Sequence, residues 1–262
     1  MNIVVKLGGS LLVEQTRWAP LLEQLLELQR QGHRCLLVHG GGKLLTAHLE
    51  KSGIASRFVQ GLRVTDAQTR DAALMVMGGL LNKKLVTEIQ KLGGRALGLC
   101  GDGGLVIARK SSAGTTGGAD LGYVGEVEHV DGRLMEELAA LGLIVVLASL
   151  AADRSGEYYN INADLLAAAC AAALQADRLI FLTDVAGVLD SSGKTLETLT
   201  RSDIDRLIAQ GVVAGGMLPK LQSCLMALEK GVRRVRIVPG YVERGLLASM
   251  EMSSASRGTE IR

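Results

Sequence analysis

Six short runs of β-branched and other apolar residues recur along the chain, at 2–7, 34–39, 95–99, 143–148, 178–182 and 234–238, and each reads as a strand. Between them, apolar residues fall at three- and four-residue spacing. That spacing predicts helices over 19–30, 43–52, 66–81, 82–92, 133–141, 164–175, 203–210 and 219–230. Strands alternating with helices predict βαβ units and a mainly parallel sheet. Thr65 and Gln68 have the spacing of a capping box, and Pro219 suits the first turn of its helix. The segment 101–132 breaks the rhythm with Gly, Ser and Thr clusters around short alternating pieces, and predicts β-hairpins inserted near one end of the sheet. A boundary near Asp177 would divide a larger N-terminal lobe, 1–177, from a smaller C-terminal one, 178–262.

Composition narrows the class. With 48% hydrophobic and 21% charged residues over 262 positions, the chain can bury a large core, which excludes general disorder. Aromatics at 3% give few platforms for stacking single-stranded nucleic acid, and a net charge of +2 without a basic block gives no footprint for a polyanion. A small-molecule partner is expected, with no nucleic acid. No apolar run is long enough to cross a bilayer and no leader pattern precedes Ile3, so neither a membrane partner nor export is expected, and the cytoplasm is the default compartment. Cys35, Cys100, Cys170 and Cys224 form no C-x-x-C pair, and no protein-held metal site follows from them. The 33 glycines against 3 prolines point to turns where backbone must approach something closely.

Four such places carry chemistry. In Lys6-Leu7-Gly8-Gly9-Ser10 an apolar strand runs into glycines whose amides can approach an anion, and Lys6 continues a strand buried on both faces. An ammonium there needs a partner or a route to water. The strand ending at His39 enters Gly40-Gly41-Gly42 and then a helix, so free N–H groups and the helix dipole both favour negative charge. Packing alone also accounts for such a turn. Asn160-Ile161-Asn162-Ala163-Asp164 opens a nearly all-apolar helix, where Asp164 is either a partly buried counter-charge or, with Asn162, an ordinary cap. In Gly215-Gly216-Met217-Leu218-Pro219-Lys220, a cation in the first helical turn opposes the macrodipole by about 0.3–1 kcal/mol unless an anion binds beside it. A Walker A loop is missing, because the run from Gly187 to Lys194-Thr195 is one residue too long, and no glycines have the G-x-G-x-x-G spacing of a dinucleotide fold. Two lysines on glycine turns, an Asp able to orient them, and Arg63 within Gly61-Leu62-Arg63-Val64-Thr65 suit phosphoryl transfer to a carboxylate. Such a nucleophile is already ionised and needs no general base.

These motifs, with Gly122-Tyr123-Val124-Gly125-Glu126-Val127 and Leu182-Thr183-Asp184-Val185-Ala186-Gly187-Val188, stand in an order that closely resembles the amino acid kinase family, in its branch that phosphorylates N-acetyl-L-glutamate for arginine biosynthesis. The resemblance implies an α/β three-layer αβα sandwich with a central, mainly parallel sheet. It places N-acetyl-L-glutamate and dimerisation in the lobe 1–177, and ATP with Mg2+ in the lobe 178–262. It implies that Lys6 and Lys220 stabilise the transferring phosphoryl and that Asp164 holds both lysines. Gly8, Gly9 and Gly41 would face the phosphate, while Gly41, Gly42, Arg63 and Asn160 would bind the acceptor, with Arg63 on its α-carboxylate. Thr183, Asp184, Val185, Ala186, Gly187, Val188 and Leu189, with Val212, Val213 and Ala214, would line the nucleotide. The sequence departs from the family's usual pattern at Lys43 and over 147–151, which lacks the common Pro and Gly. The arginine-inhibited branch carries an N-terminal helix, whereas the first strand here starts at residue 2, so the expectation is a homodimer insensitive to arginine. The rival readings are a sister kinase acting on carrier-linked α-aminoadipate or glutamate, a non-catalytic ligand-binding domain of the same fold, and a nicotinamide oxidoreductase, which the missing fingerprint disfavours.

Overall fold

The computed structural model describes residues 1–59, 61–112, 120–213, 215–251 and 258–262. Its strands in chain order are β1 (Asn2–Leu7), β2 (Arg34–His39), β3 (Phe58–Val59), β4 (Leu62–Arg63), β5 (Ala96–Leu99), β6 (Val106–Lys110), β7 (Val124–Val130), β8 (Ile144–Ala148), β9 (Leu150–Ala152), β10 (Tyr158–Ile161), β11 (Arg178–Thr183), β12 (Thr198–Leu199), β13 (Val235–Pro239) and β14 (Thr259–Ile261). The helices are α1 (Gln15–Arg30), α2 (Gly42–Lys51), α3 (Ala67–Ala73), α4 (Asn82–Lys91), α5 (Gly132–Ala140), α6 (Ala163–Ala173), α7 (Arg201–Ala209), α8 (Met217–Glu229) and α9 (Gly245–Ala248).

The six expected strands all lie in one eight-stranded sheet of order β12-β14-β13-β11-β1-β2-β8-β5, parallel except between β13 and β14. Side chains alternate across it. Ile3, Val5 and Leu7 of β1 pack with Leu22 and Leu25 of α1 and Leu85 and Ile89 of α4. Val4 of β1 and Phe181 of the adjacent β11 pack on the opposite face with Leu166 and Ala167 of α6 and Leu221 of α8. Both faces are therefore covered by helices, which makes the three layers, and each large side chain so buried contributes roughly 1.5–3 kcal/mol. Fully buried alanines at 167, 168 and 171 let α6 lie close against the sheet. The chain leaves β1 towards β2 on one side, and leaves β11 towards β13 on the other. The carboxyl ends of β1 and β11 thus flank a topological switch point, where open α/β sheets bind ligands. β11 pairs directly with β1, so residues on both sides of 177 share one sheet.

Three expectations are corrected. Among its described residues the segment 101–132 holds a single hairpin where several are expected. β6 and β7 form one antiparallel hairpin in a separate four-stranded sheet, β6-β7-β10-β9, which takes two short strands from 150–161. The helix expected over 66–81 is α-helical only to Ala73 and becomes a π-helix over Leu74–Leu81 before α4. Its cap is Asp66, which accepts from the Thr69 N–H at 2.8 Å, rather than Thr65, whose hydroxyl donates to the Arg63 carbonyl at 2.8 Å. A carboxylate one residue nearer the helix takes the N3 amide, and the displaced Thr65 bridges to Gly122. No helix among the described residues is long and apolar enough to cross a membrane.

Candidate active site

Period two places Lys6 on the same face of β1 as Val4, towards α6 and α8. Its ammonium lies 2.8 Å from Asp164 Oδ1, and Lys220 Nζ lies 2.9 Å from Asp164 Oδ2. All three residues are more than nine-tenths buried. α6 can present Asp164 here because Asn162 does the capping, accepting from the Asp164 and Leu165 N–H groups at 2.9 and 3.2 Å. Capping and counter-charge, alternatives in the sequence, are shared between two neighbouring residues. Lys220 sits in the first turn of α8, above the Phe181 ring, with Nζ 5.3 Å from the ring centroid.

Burial alone would raise the Asp164 carboxyl, but the Lys6 charge, then the Lys220 charge and the bonds to both, hold it at about 2. Burial pulls the Lys6 ammonium below its ordinary range. Asp164 opposes that pull, and the nearby Lys220 adds to it. Two cations share one carboxylate, so the cluster has a net positive charge in a place where water does little to screen it.

The glycine turns close round this charge. Gly9 and Gly42 approach so nearly that a Cβ on Gly9 would stand 3.8 Å from the Gly42 nitrogen. At Gly41 a Cβ would stand 2.8 Å from Met77 Cγ and 3.1 Å from Leu81 Cδ2, so the π-helix leaves room for glycine alone. α2 begins at Gly42 without a side-chain cap, and among the described residues no acceptor takes the Gly9, Gly41 or Gly42 N–H. Gly8 differs from these three. Its N–H donates to the Leu182 carbonyl at 2.9 Å, and a Cβ would meet that oxygen at 2.8 Å, so Gly8 joins β1 to β11 instead of offering an amide to a phosphate.

A cavity of about 220 Å3 lies beside these turns, and Lys6, Gly9, Gly41, Gly42, Arg63 and Asn160 all line it. Leu45, Met77 and Val124 supply apolar lining. The Arg63 guanidinium donates to Ser56 Oγ at 2.5 Å, Thr46 Oγ1 at 2.6 Å and the Gly42 carbonyl at 3.0 Å, and lies 4.5 Å from the Phe58 ring centroid. These neutral partners fix its direction without neutralising it, and burial pulls its pKa below the usual range. Among the described residues it has no carboxylate partner. Asn160 stands on β10, where its amide donates to Thr65 Oγ1 at 3.3 Å.

Of the residues expected at the nucleotide, Thr183 closes β11, and Asp184, Val185, Ala186 and Leu189 follow at least partly exposed. Asp184 is held below its usual range first by the Ser10 hydroxyl, against burial, with help from Lys43. Val188 and Val213 are core residues, and the Val188 N–H is given to Thr259 Oγ1 at 2.8 Å. Gly187, at φ +140, packs against Thr259 and Thr195. Val212 lines a different cavity, between α7 and β12, and Ala214 lies outside the described residues. Sequence reading missed Thr46 and Ser56, which orient Arg63, and Met77 and Leu81, which shape Gly41. Only the Gly78-Gly79 pair hinted that the helix there is irregular.

Comparison with known proteins gives the same reading. The sequence profile of the amino acid kinase family matches residues 1–239. An acetylglutamate kinase of Koribacter versatilis is 47% identical over 262 residues, covering 100% of this chain and 98% of its own. The solved structure of smu.665 from Streptococcus mutans UA159 superposes with a TM-score of 0.83 at 31% identity, covering 99% and 98% of the two chains. N-acetylglutamate synthase from Neisseria gonorrhoeae, solved with coenzyme A and N-acetyl-glutamate, gives a TM-score of 0.88 at 26% identity over 99% of this chain and 59% of its own. With its parallel sheet, its paired lysines on glycine turns and these likenesses along its whole length, the chain belongs to the amino acid kinase family.

Proposed function

We propose that the protein transfers the γ-phosphoryl group of ATP to the side-chain carboxylate of N-acetyl-L-glutamate, giving N-acetyl-L-glutamyl 5-phosphate and ADP, in arginine biosynthesis. The observation that carries this reading is the buried cluster of two ammonium groups on one carboxylate, beside a cavity lined by the Arg63 guanidinium, which has no carboxylate partner among the described residues. Arg63 takes the α-carboxylate of the acceptor, with Asn160 beside it, and the apolar wall takes the methylenes and the acetyl group. The side-chain carboxylate then points at Lys6 and at the amides of Gly9, Gly41 and Gly42. One carboxylate oxygen forms the new bond to the γ-phosphorus while the bond from that phosphorus to the ADP oxygen breaks, and no proton has to move. Negative charge on the transferring oxygens meets Lys6 on one side and Lys220 on the other.

The nucleotide occupies the side of the site formed by residues 178–262, along Thr183 to Ala186 and Leu189. Asp184, ionised and exposed at the top of β11, fits a Mg2+ ion carried by the nucleotide phosphates, which when bound neutralises charge on the leaving group. Residues 1–177 hold the acceptor. They also carry the exposed Met75 and Leu80 of the π-helix, at 61% and 58% accessibility, which a second copy covers in a homodimer.

Trapping the acyl phosphate with hydroxylamine tests the reaction directly. ATP, Mg2+ and N-acetyl-L-glutamate yield a hydroxamate, and free L-glutamate yields far less. Turnover confined to a carrier-linked acceptor would overturn the assignment. Arg63→Leu raises the KM for N-acetyl-L-glutamate about 10- to 100-fold, as expected for a lost charge-assisted hydrogen bond, and moves kcat much less.

A further inference from the structure

We propose that Asn82 is a positioning residue for phosphoryl transfer: through the His39 ring it fixes the Gly40 carbonyl and thereby aims the Gly41 and Gly42 N–H groups into the acceptor cavity. The inference rests on the reading of that cavity given above.

His39 closes β2 on the face of Cys35 and Leu37, towards α4, and is fully buried, as is Asn82 at the start of α4. His39 Nδ1 lies 2.8 Å from the carbonyl of the next residue, Gly40. A carbonyl only accepts, so Nδ1 carries the hydrogen. The neutral ring then has its lone pair at Nε2, and Asn82 Nδ2 donates to it at 3.1 Å. The second hydrogen of the same amide nitrogen goes to the Val146 carbonyl on β8, at 2.9 Å. Burial, only partly opposed by the bond to Gly40, keeps His39 neutral down to about 4. Every directional group of the imidazole is used, and each use restricts the first peptide of the glycine turn.

Two further features are fitted to this arrangement. On β5, a Cβ at Gly98 would stand 2.0 Å from Asn82 Oδ1 and 2.9 Å from Val86 Cγ2, so the strand leaves a gap the size of the amide. The π-helix ends immediately before Asn82, and its Met77 and Leu81 fill the space over Gly41. Wider π turns often mark functional sites. Here one irregular segment meets the glycine turn from outside through Met77 and Leu81, and from beneath through Asn82 and His39.

Asn82→Ala, Gly98→Ala and the double variant separate positioning from mere packing. The first lowers kcat about 10- to 100-fold, the scale of a small misplacement at the reacting centre, while calorimetric affinities for ADP and N-acetyl-L-glutamate stay within about threefold. Gly98→Ala alone drives a methyl group into the Asn82 amide and lowers both Tm and kcat. In the double variant the methyl fills the space the amide vacated, so Tm recovers towards wild type and kcat stays low. Recovery of kcat together with Tm would overturn the proposal. A readout independent of turnover is the 15N spectrum of the His39 ring in the unliganded wild-type protein, assigned by loss of the signal in His39→Gln. The Nδ1–H tautomer is expected, and an Nε2–H tautomer would overturn the proposal whatever the Asn82 and Gly98 variants do. A wild type inactive on N-acetyl-L-glutamate but holding the Nδ1–H tautomer would instead remove the assigned reaction.

Discussion

Replacing Lys220 by alanine lowers kcat by roughly two to three orders of magnitude, because a cation aimed at developing phosphoryl charge contributes about 3–4 kcal/mol to the barrier when water is excluded. The KM for N-acetyl-L-glutamate moves little. Lys220 reaches the site from α8, while the acceptor cavity is lined by Lys6, Arg63 and the glycine turns. Steady-state kinetics on the purified variant, with thermal unfolding alongside, check this. The fold should be largely kept, since Asp164 retains Lys6 at 2.8 Å. Equal losses in kcat and in acceptor affinity would place Lys220 on bound substrate in general and not on the transition state.

Replacing Asp164 by alanine does more damage to the fold. It leaves two ammonium groups facing one another with no counter-ion, in a place where all three residues are more than nine-tenths buried. Removing one partner from a buried ion pair destabilises by about 3–5 kcal/mol, and for a chain of this size each kcal/mol lowers Tm by about 2–4 °C. Activity falls as well, because nothing then aligns the lysines. The pH dependence gives the sign. Folding lowers the Asp164 pKa from its ordinary 3.8 to about 2, so its stabilisation is complete above pH 4 and is lost as pH falls through about 2. The Tm difference between wild type and Asp164→Asn should therefore be large at pH 7 and narrow steadily below pH 4. A difference independent of pH would mean that the carboxylate's charge is not what holds the lysines.

Much of this site was legible before any coordinates. β1 and β2 begin and end where the apolar runs do, because strands buried on both faces leave continuous hydrophobic sequence. Lys6 and Lys220 each stand where local energetics disfavours a cation, and that conflict is resolved by Asp164, remote from both in sequence. The misses have physical causes. β3, β4, β9 and β10 are two to four residues long, too short for an alternating pattern to register, so Asn160 shows in the sequence only as part of the motif that leads into α6 and not as a strand residue. Leu74–Leu81 is apolar throughout, so no polar residue marks its faces and an extra residue per turn leaves no trace in the pattern. Gly8 and Gly9 look alike in sequence. Only the approach of β11 shows that the first amide is spent on Leu182. The partners of Arg63 come from α2 and from residue 56, a proximity that the fold creates and local sequence does not announce.

The most direct measurement is a crystal structure of the protein with ADP, Mg2+, N-acetyl-L-glutamate and aluminium fluoride standing in for the transferring phosphoryl group. Both Lys6 Nζ and Lys220 Nζ should lie about 3 Å from its fluorine atoms, with Asp164 still between them. A planar fluoroaluminate seated between nucleotide and acceptor and touched by neither amine would contradict the account.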